Sequence, residues 1–313
     1  MLRHAAPKGD RVSDMNNPVD FSNLPRPTGG ITADYSLEIT AKDVDALRAA
    51  APRVPVGTFV SVTFLPGEAL EARIAASRAV REMGFRPMPH FSARRLASLE
   101  DFEGYLHRVV EEAGVRRCFV VAGDPLESEG PYDDSAALLA TGAFERAGIR
   151  TVGVGGHSEG HPHMSEEQCL MALETKCSAI VARGMKPIIV TQFGFDADAI
   201  LSWLAALRRR GIAAPVRVGI PGPASIKTLL RFAARCGVGA SAAVLTKYGL
   251  SITRLIGTAG PDRMVDALAR GFKPEHGEVR LHFYPFGGLE KTVDWITYYE
   301  ARSNHDVRAT EDA

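Results

Sequence analysis

Five times along this chain an amphipathic stretch of helical period stops at a glycine and an apolar run follows. The stretches are Glu68–Met83, Leu99–Ala113, Asp133–Ala147, Ser165–Arg183 and Asp196–Arg210; the glycines are Gly84, Gly114, Gly148, Gly184 and Gly211. In the first stretch Leu70, Ile74, Ala75 and Val80 recur at helical spacing. Glycine ends a helix because it enters the left-handed backbone region without a Cβ clash. The apolar runs predict strands at Tyr35–Ile39, Thr58–Phe64, Arg86–His90, Arg117–Ala122, Arg150–Val154, Lys186–Gln192, Val216–Gly219 and Val279–Tyr284. Eight strands alternating with helices over residues 31–301 predict an α/β fold, a (β/α)8 TIM barrel. Ser241–Gly271 reads as an extra helical insertion before the last strand. An open doubly wound sheet is disfavoured, since no Gly-x-Gly-x-x-Gly follows the first strand and no P-loop is present. Residues 1–30 read as a flexible arm and residues 302–313 as a polar tail.

The charge balance is even, with 37 basic and 37 acidic residues among 313. This disfavours a nucleic-acid groove or an acidic-membrane partner. The four cysteines, Cys118, Cys169, Cys177 and Cys236, form no Cys-x-x-Cys pair, which fits a reducing compartment. Cys118 lies mid-strand and reads as inert core. No apolar run reaches membrane-span length and no signal-peptide core is apparent, so a cytoplasmic location is expected.

In a barrel the chemistry gathers where strands end. The first strand carries Glu38 in the otherwise apolar Tyr35-Ser36-Leu37-Glu38-Ile39. A carboxyl in such a setting can serve as a general acid, or it can be half of an ion pair. Asp124 follows Gly123 at a strand end and can hold a ligand's N–H groups or cap a turn. Ile188-Ile189-Val190-Thr191-Gln192 is a buried run that ends in an amide able to donate and accept, toward a flat polar ligand or toward its own loop. His157, His161 and His163 lie in a glycine-rich loop. Without His-Glu-x-x-His or a further ligand they read as ligand-contacting side chains, not as a metal site.

Taken in order, Ser36-Leu37-Glu38-Ile39, Phe59–Phe64, Pro87-Met88-Pro89-His90-Phe91, Ala122-Gly123-Asp124-Pro125, His161-Pro162, Ile189–Asp196, Gly219-Ile220-Pro221 and His282-Phe283-Tyr284 resemble the methylenetetrahydrofolate reductase family. The resemblance implies an oxidoreductase of one-carbon metabolism and methionine biosynthesis. It would interconvert 5,10-methylenetetrahydrofolate and 5-methyltetrahydrofolate with hydride from NAD(P)H, usually through FAD. It implies that Glu38 is the catalytic acid, and that Asp124, Gln192 and the adjacent Phe193 bind the pterin. Thr63, His90, Gly123, His161 and Lys176 fall at cofactor-binding positions. A tetrahydrofolate substrate, and a homo-oligomer as a possible assembly, belong to the same expectation.

Three departures bear on the flavin. Ala122-Gly123-Asp124 stands where the family has Arg-Gly-Asp. Leu173-Glu174-Thr175-Lys176-Cys177-Ser178 offers Lys176 alone to a pyrophosphate, and the family's first-strand Phe-Phe-Pro-Pro-Lys is altered. FAD is therefore the least secure part of the expectation: hydride from NAD(P)H reaches the folate with or without a flavin, directly where FAD is absent, or through FAD held weakly by a different set of contacts. A folate-dependent one-carbon or methyl transferase and a non-catalytic folate-binding paralogue are the alternatives.

Overall fold

A computed structural model of the chain describes residues 30–236 and 258–311. Eight parallel strands close into a barrel: β1 (Ser36–Ile39), β2 (Phe59–Val62), β3 (Arg86–Ser92), β4 (Arg117–Val121), β5 (Thr151–Gly156), β6 (Lys186–Phe193), β7 (Val216–Pro221) and β8 (Val279–Tyr284). β1 closes the ring against β8, with Ser36 opposite His282. The helices around it include α1 (Val44–Ala50), α2 (Leu70–Glu82), α3 (Leu99–Ala113), α4 (Ser135–Ala140), α5 (Ala143–Arg146), α6 (Glu166–Ala182), α7 (Ala197–Arg209), α8 (Ile226–Arg235), α9 (Asp262–Gly271) and α10 (Leu289–Glu311). The expected (β/α)8 fold is the observed one. All five helix-closing glycines have φ between +57° and +85°, which is why the helices stop there and the chain can turn into the next strand.

Side chains alternate along each strand between the helix layer and the barrel interior. On the outer face, Leu37, Val60, Phe91 and Phe283 are fully buried in the main core. On the inner face Met88, Phe119 and Val190 form a separate small cluster, with Val121 packed beside it. Burying each of these three stabilises the fold by roughly 1.5–3 kcal/mol. Gly153 makes room for this layer, since a Cβ there would meet Phe119 Cδ2 at 2.6 Å. One inward step further, a Cβ on Gly155 would meet nothing within 4 Å, so the barrel is filled up to Phe119 and open above it.

The helix expected over Asp133–Ala147 is two short ones. Asp134 caps the first through Ala137 N–H, and Gly142, at φ +72°, separates it from the second. The apolar period of Ala136-Ala137-Leu138-Leu139-Ala140 conceals this break. Within the expected insertion Ser241–Gly271, Asp262–Gly271 is helical and residues 241–257 lie outside the described residues, as do residues 1–29 of the arm expected over residues 1–30. A two-residue antiparallel ladder joins Ala224–Ser225 to Thr258–Ala259. The closing helix continues to Glu311, so residues 302–311 are helical where a polar tail was expected. Among the described residues no helix is long and apolar enough to cross a membrane.

β6 shifts register against β7 between Val190 and Phe193. Thr191 repairs the gap: its Oγ1 accepts the Gly219 N–H at 2.8 Å, and its carbonyl accepts the Tyr284 hydroxyl at 2.9 Å. The approach is close, since a Cβ on Gly219 would lie 2.6 Å from Thr191 O. Thr191→Val keeps the shape and removes the acceptor, leaving a buried N–H unsatisfied. Chemical denaturation is expected to show a loss of about 1–3 kcal/mol, while Thr191→Ser retains most of the wild-type stability.

Candidate active site

Glu38 lies on the inner face of β1, two residues beyond Ser36, with its side chain 18% exposed. Register sets Ser61 of β2 directly opposite it. Two histidines approach the same carboxylate oxygen: Glu38 Oε2 is 3.5 Å from His90 Nε2 and 3.7 Å from His282 Nε2. Both distances exceed hydrogen-bonding range. His282 is fixed from behind, with its Nδ1 2.8 Å from Ser36 Oγ, and the Ser36 hydroxyl reaches Leu281 O at 3.4 Å. His90 packs edge-on against Phe119 at 4.7 Å between ring centroids.

Around this carboxylate Ser61 Oγ, Thr63 Oγ1, His90 Nε2 and His282 Nε2 are buried atoms without a hydrogen-bond partner. Buried polar groups are nearly always paired, so such a cluster calls for an explanation. Here they line the open mouth above Phe119, where a ligand or ordered water can complete them. Burial pushes the His90 imidazole down to about pKa 4, against the opposing pull of Glu38 and with His282 adding to the fall. His90 is therefore neutral near pH 7, and Glu38 has no imidazolium from that side.

The expected site residues divide into three groups. Glu38, His90 and Thr63 converge; Thr63 is tied to the end of β1 by its N–H to Ile39 O at 2.9 Å. Gln192 and Asp124 stand at the exits of β6 and β4 on the same pole. Gln192 shares the inward face with Val190, and its Oε1 accepts the Phe193 N–H at 3.1 Å. That bond turns the amide NH2 into the group it offers a ligand. Asp124 is exposed. Its loop is clasped by Arg94, which donates to Pro125 O at 3.0 Å and to Asp133 O at 2.7 Å. Gly123 takes φ +101°, a backbone conformation that residues with a side chain rarely adopt, and a Cβ there would overlap Ser92 Oγ. Phe193 falls elsewhere: only 2% exposed, its ring packs against Phe195, Tyr284 and Phe286. It braces the wall behind Gln192 and presents no open face to the mouth.

The third group lies beside β5 and α6. The His157 and His161 rings meet at 4.7 Å, and His161 Nδ1 accepts the His163 N–H at 3.1 Å. Among the described residues no three His, Cys, Asp or Glu side chains are placed to hold a metal ion. Burial, then repulsion from His161 and Lys176, brings His157 down to about pKa 4. Burial likewise holds the Lys176 ammonium below the ordinary lysine range, opposed by Cys177 and Asp134. From the same β5 loop, Glu159 Oε1 accepts the N–H groups of Phe195 and Asp196 at 2.5 and 2.7 Å, anchoring the turn after Gln192.

Sequence reasoning assigned no role to Ser36, His282, Arg94 or Glu159. A usable signal existed for the first two: Ser36 and Glu38 share one strand face, and His282 stands at the matching polar position of the strand that closes the ring.

A closed parallel β/α barrel with a carboxylate and unsatisfied polar groups inside its C-terminal mouth is the arrangement of a small-molecule site in a (β/α)8 barrel. The family model of methylenetetrahydrofolate reductase matches residues 30–285, and the chain belongs to this family. A solved structure of an uncharacterised protein from Clostridium thermocellum that binds two copies of 5-methyl-5,6,7,8-tetrahydrofolic acid superposes with TM-score 0.57 at 13% identity, covering 87% of this chain and 94% of that one. Dihydropteroate synthase from Thermus thermophilus gives TM-score 0.47 at 13% identity, covering 85% and 92%.

The two depressed histidines set a pH dependence. Between about pH 6.5 and pH 4 the unfolded chain binds protons that folded His90 and His157 refuse. Stability from these groups is thus present above pH 6.5 and lost as pH falls toward 4. Each contributes a limiting slope of about 1.4 kcal/mol per pH unit, less where solvent reaches the ring. Melting curves across this window are expected to show a shallower acid slope for His157→Gln than for the wild type.

Proposed function

We propose that the protein reduces 5,10-methylenetetrahydrofolate to 5-methyltetrahydrofolate with NAD(P)H, and that Glu38 is the acid. The observation that carries this reading is the unsatisfied polar cluster around Glu38 inside the barrel mouth. Membership of the family supports it, as does the folate bound by the Clostridium thermocellum barrel.

Each residue has a definable task. The Glu38 proton goes to N10 of the folate, the methylene C–N10 bond breaks, and its electrons stay on N10. The carbon left on N5 is an iminium. Hydride from the nicotinamide C4 adds to that carbon, giving the methyl group and NAD(P)+. With the Ser36 hydrogen on Leu281 O, His282 donates from Nδ1 to Ser36 Oγ and turns the Nε2 lone pair toward Glu38. In that tautomer His282 offers Glu38 no N–H, and at 3.7 Å it leaves the carboxyl proton free for the substrate. Neutral His90 avoids an ion pair that would compete with proton donation. Asp124 accepts from the pterin's amino and ring N–H groups, and the Gln192 amide donates to its carbonyl.

The residues present do not fit the pyrophosphate of FAD. Ala122 brings no charge to the mouth. On α6 Glu174 and Thr175 are exposed, and the one cation, Lys176, is half-buried with Asp134 acting on it. A pyrophosphate favours several charge-assisted donors. We therefore assign hydride delivery to NAD(P)H itself, a co-substrate that binds and leaves and so needs less of a pyrophosphate grip than a resident flavin.

Glu38→Gln tests the proposal. Protein purified without added flavin is expected to be colourless and to oxidise NAD(P)H only when methylenetetrahydrofolate is present. Glu38→Gln is expected to lower turnover about 10²–10⁴-fold while still binding 5-methyltetrahydrofolate. Unchanged turnover in the variant would remove Glu38 from the chemistry. Folate binding without NAD(P)H oxidation in the wild type would point to a transferase or a non-catalytic binder.

A further inference from the structure

The pole of the barrel opposite Glu38 carries a second concentration of charge. Six of the eight strands have a basic residue within one position of their start: Arg86, Arg117, Arg150, Lys186, Arg217 and Arg280. Phe59, the first residue of β2, sits among them. The guanidinium carbons of Arg217, Arg117 and Arg86 lie 4.5, 4.9 and 5.5 Å from its ring centroid. One aromatic ring attracts each cation weakly, but three cations around it repel one another at short range.

Acidic compensation is partial and one-sided. Asp34 takes Arg217, with Nη2 to Oδ2 at 3.0 Å and Nη1 to the backbone carbonyl at 2.7 Å, and lies 3.8 Å from Arg280 Nε. Arg217 is only 3% exposed, yet its Nε has no acceptor, and neither has that of Arg280. Arg86 borders a cavity of about 210 Å³ whose other charged lining residues are Asp34 and Glu300. Among the described residues Arg86, Arg117, Arg150 and Lys186 form no ion pair. Burial, and then the like charges of Arg86 and Arg150, hold Arg117 below the ordinary arginine range. The cations without an ion pair thus run along the starts of β3, β4, β5 and β6; Arg86 shares its cavity with Asp34 and Glu300, while Arg117, Arg150 and Lys186 lie outside that lining.

We propose that this N-terminal pole is a binding site for a small anion bearing more than one phosphate group, gripped by Arg86 and Arg117, with Arg150 and Lys186 alongside. Guanidinium forks match phosphate oxygens two at a time. An anion there relieves the mutual repulsion and stabilises the fold by mass action. The site stands apart from the reductase reading, because it lies at the other end of the barrel from Glu38.

Pyrophosphate is the probe. Calorimetric titration of the full chain, at ionic strength held constant with sodium chloride, is expected to give saturable binding. The Arg86→Gln/Arg117→Gln pair should weaken it by about tenfold or more, and Lys176→Gln, at the opposite mouth, should leave it unchanged. If the double variant fails to fold, Lys186→Gln, at an exposed position, is expected to weaken binding measurably. Heat that only follows ionic strength, undiminished binding in the folded double variant or Lys186→Gln, or binding lost in Lys176→Gln would each overturn the proposal.

Discussion

The site depends on one carboxylate held inside a barrel without a fixed cation beside it. Glu38 sits between two imidazole nitrogens at 3.5 and 3.7 Å, too far for a settled hydrogen bond. A carboxylate in a tight ion pair would be a poor acid. Burial keeps His90 neutral, and Ser36 orients His282, so the surroundings of Glu38 favour proton transfer over charge pairing.

That arrangement exists because of barrel closure. Ser36 and His282 are 246 residues apart and meet only when β1 pairs with β8. The same closure fills the interior up to Phe119 and leaves space beside Gly155, so the acid sits at the floor of the mouth. On the far wall the shifted register of β6, repaired by Thr191, carries Gln192 to its exit, and Glu159 fixes the turn that follows. Rigid strands place Glu38 and Gln192, and the clasped loop after β4 places Asp124; these are the residues proposed to act on and hold the ligand. The two poles differ in kind: polar groups awaiting partners at one end, unneutralised cations at the other.

Much of this was legible in the sequence. Local signals, such as the helical periods and the glycines that end them, located the strands to within two residues at each end and so gave the barrel and the polar residues at its mouth. The misses came from contacts that local pattern does not encode. The break at Gly142 is hidden in an alanine- and leucine-rich run, and the helix over residues 302–311 in a polar one. The role of His282 depends on pairing between the first and last strands. Phe193 looked like a ligand contact because it follows Gln192, but the register shift turns it into an aromatic cluster with Tyr284 and Phe286.

At the Glu38 mouth, as proposed, an acid-opened folate takes hydride straight from a nicotinamide. The most direct measurement is an anaerobic reaction in ordinary water with methylenetetrahydrofolate and NAD(P)H deuterated at both C4 positions, followed by mass analysis of the product methyl group. Direct transfer predicts a single deuterium retained in every methyl group formed. A methyl group carrying only protium would show an exchangeable carrier between nicotinamide and folate, and would contradict the account.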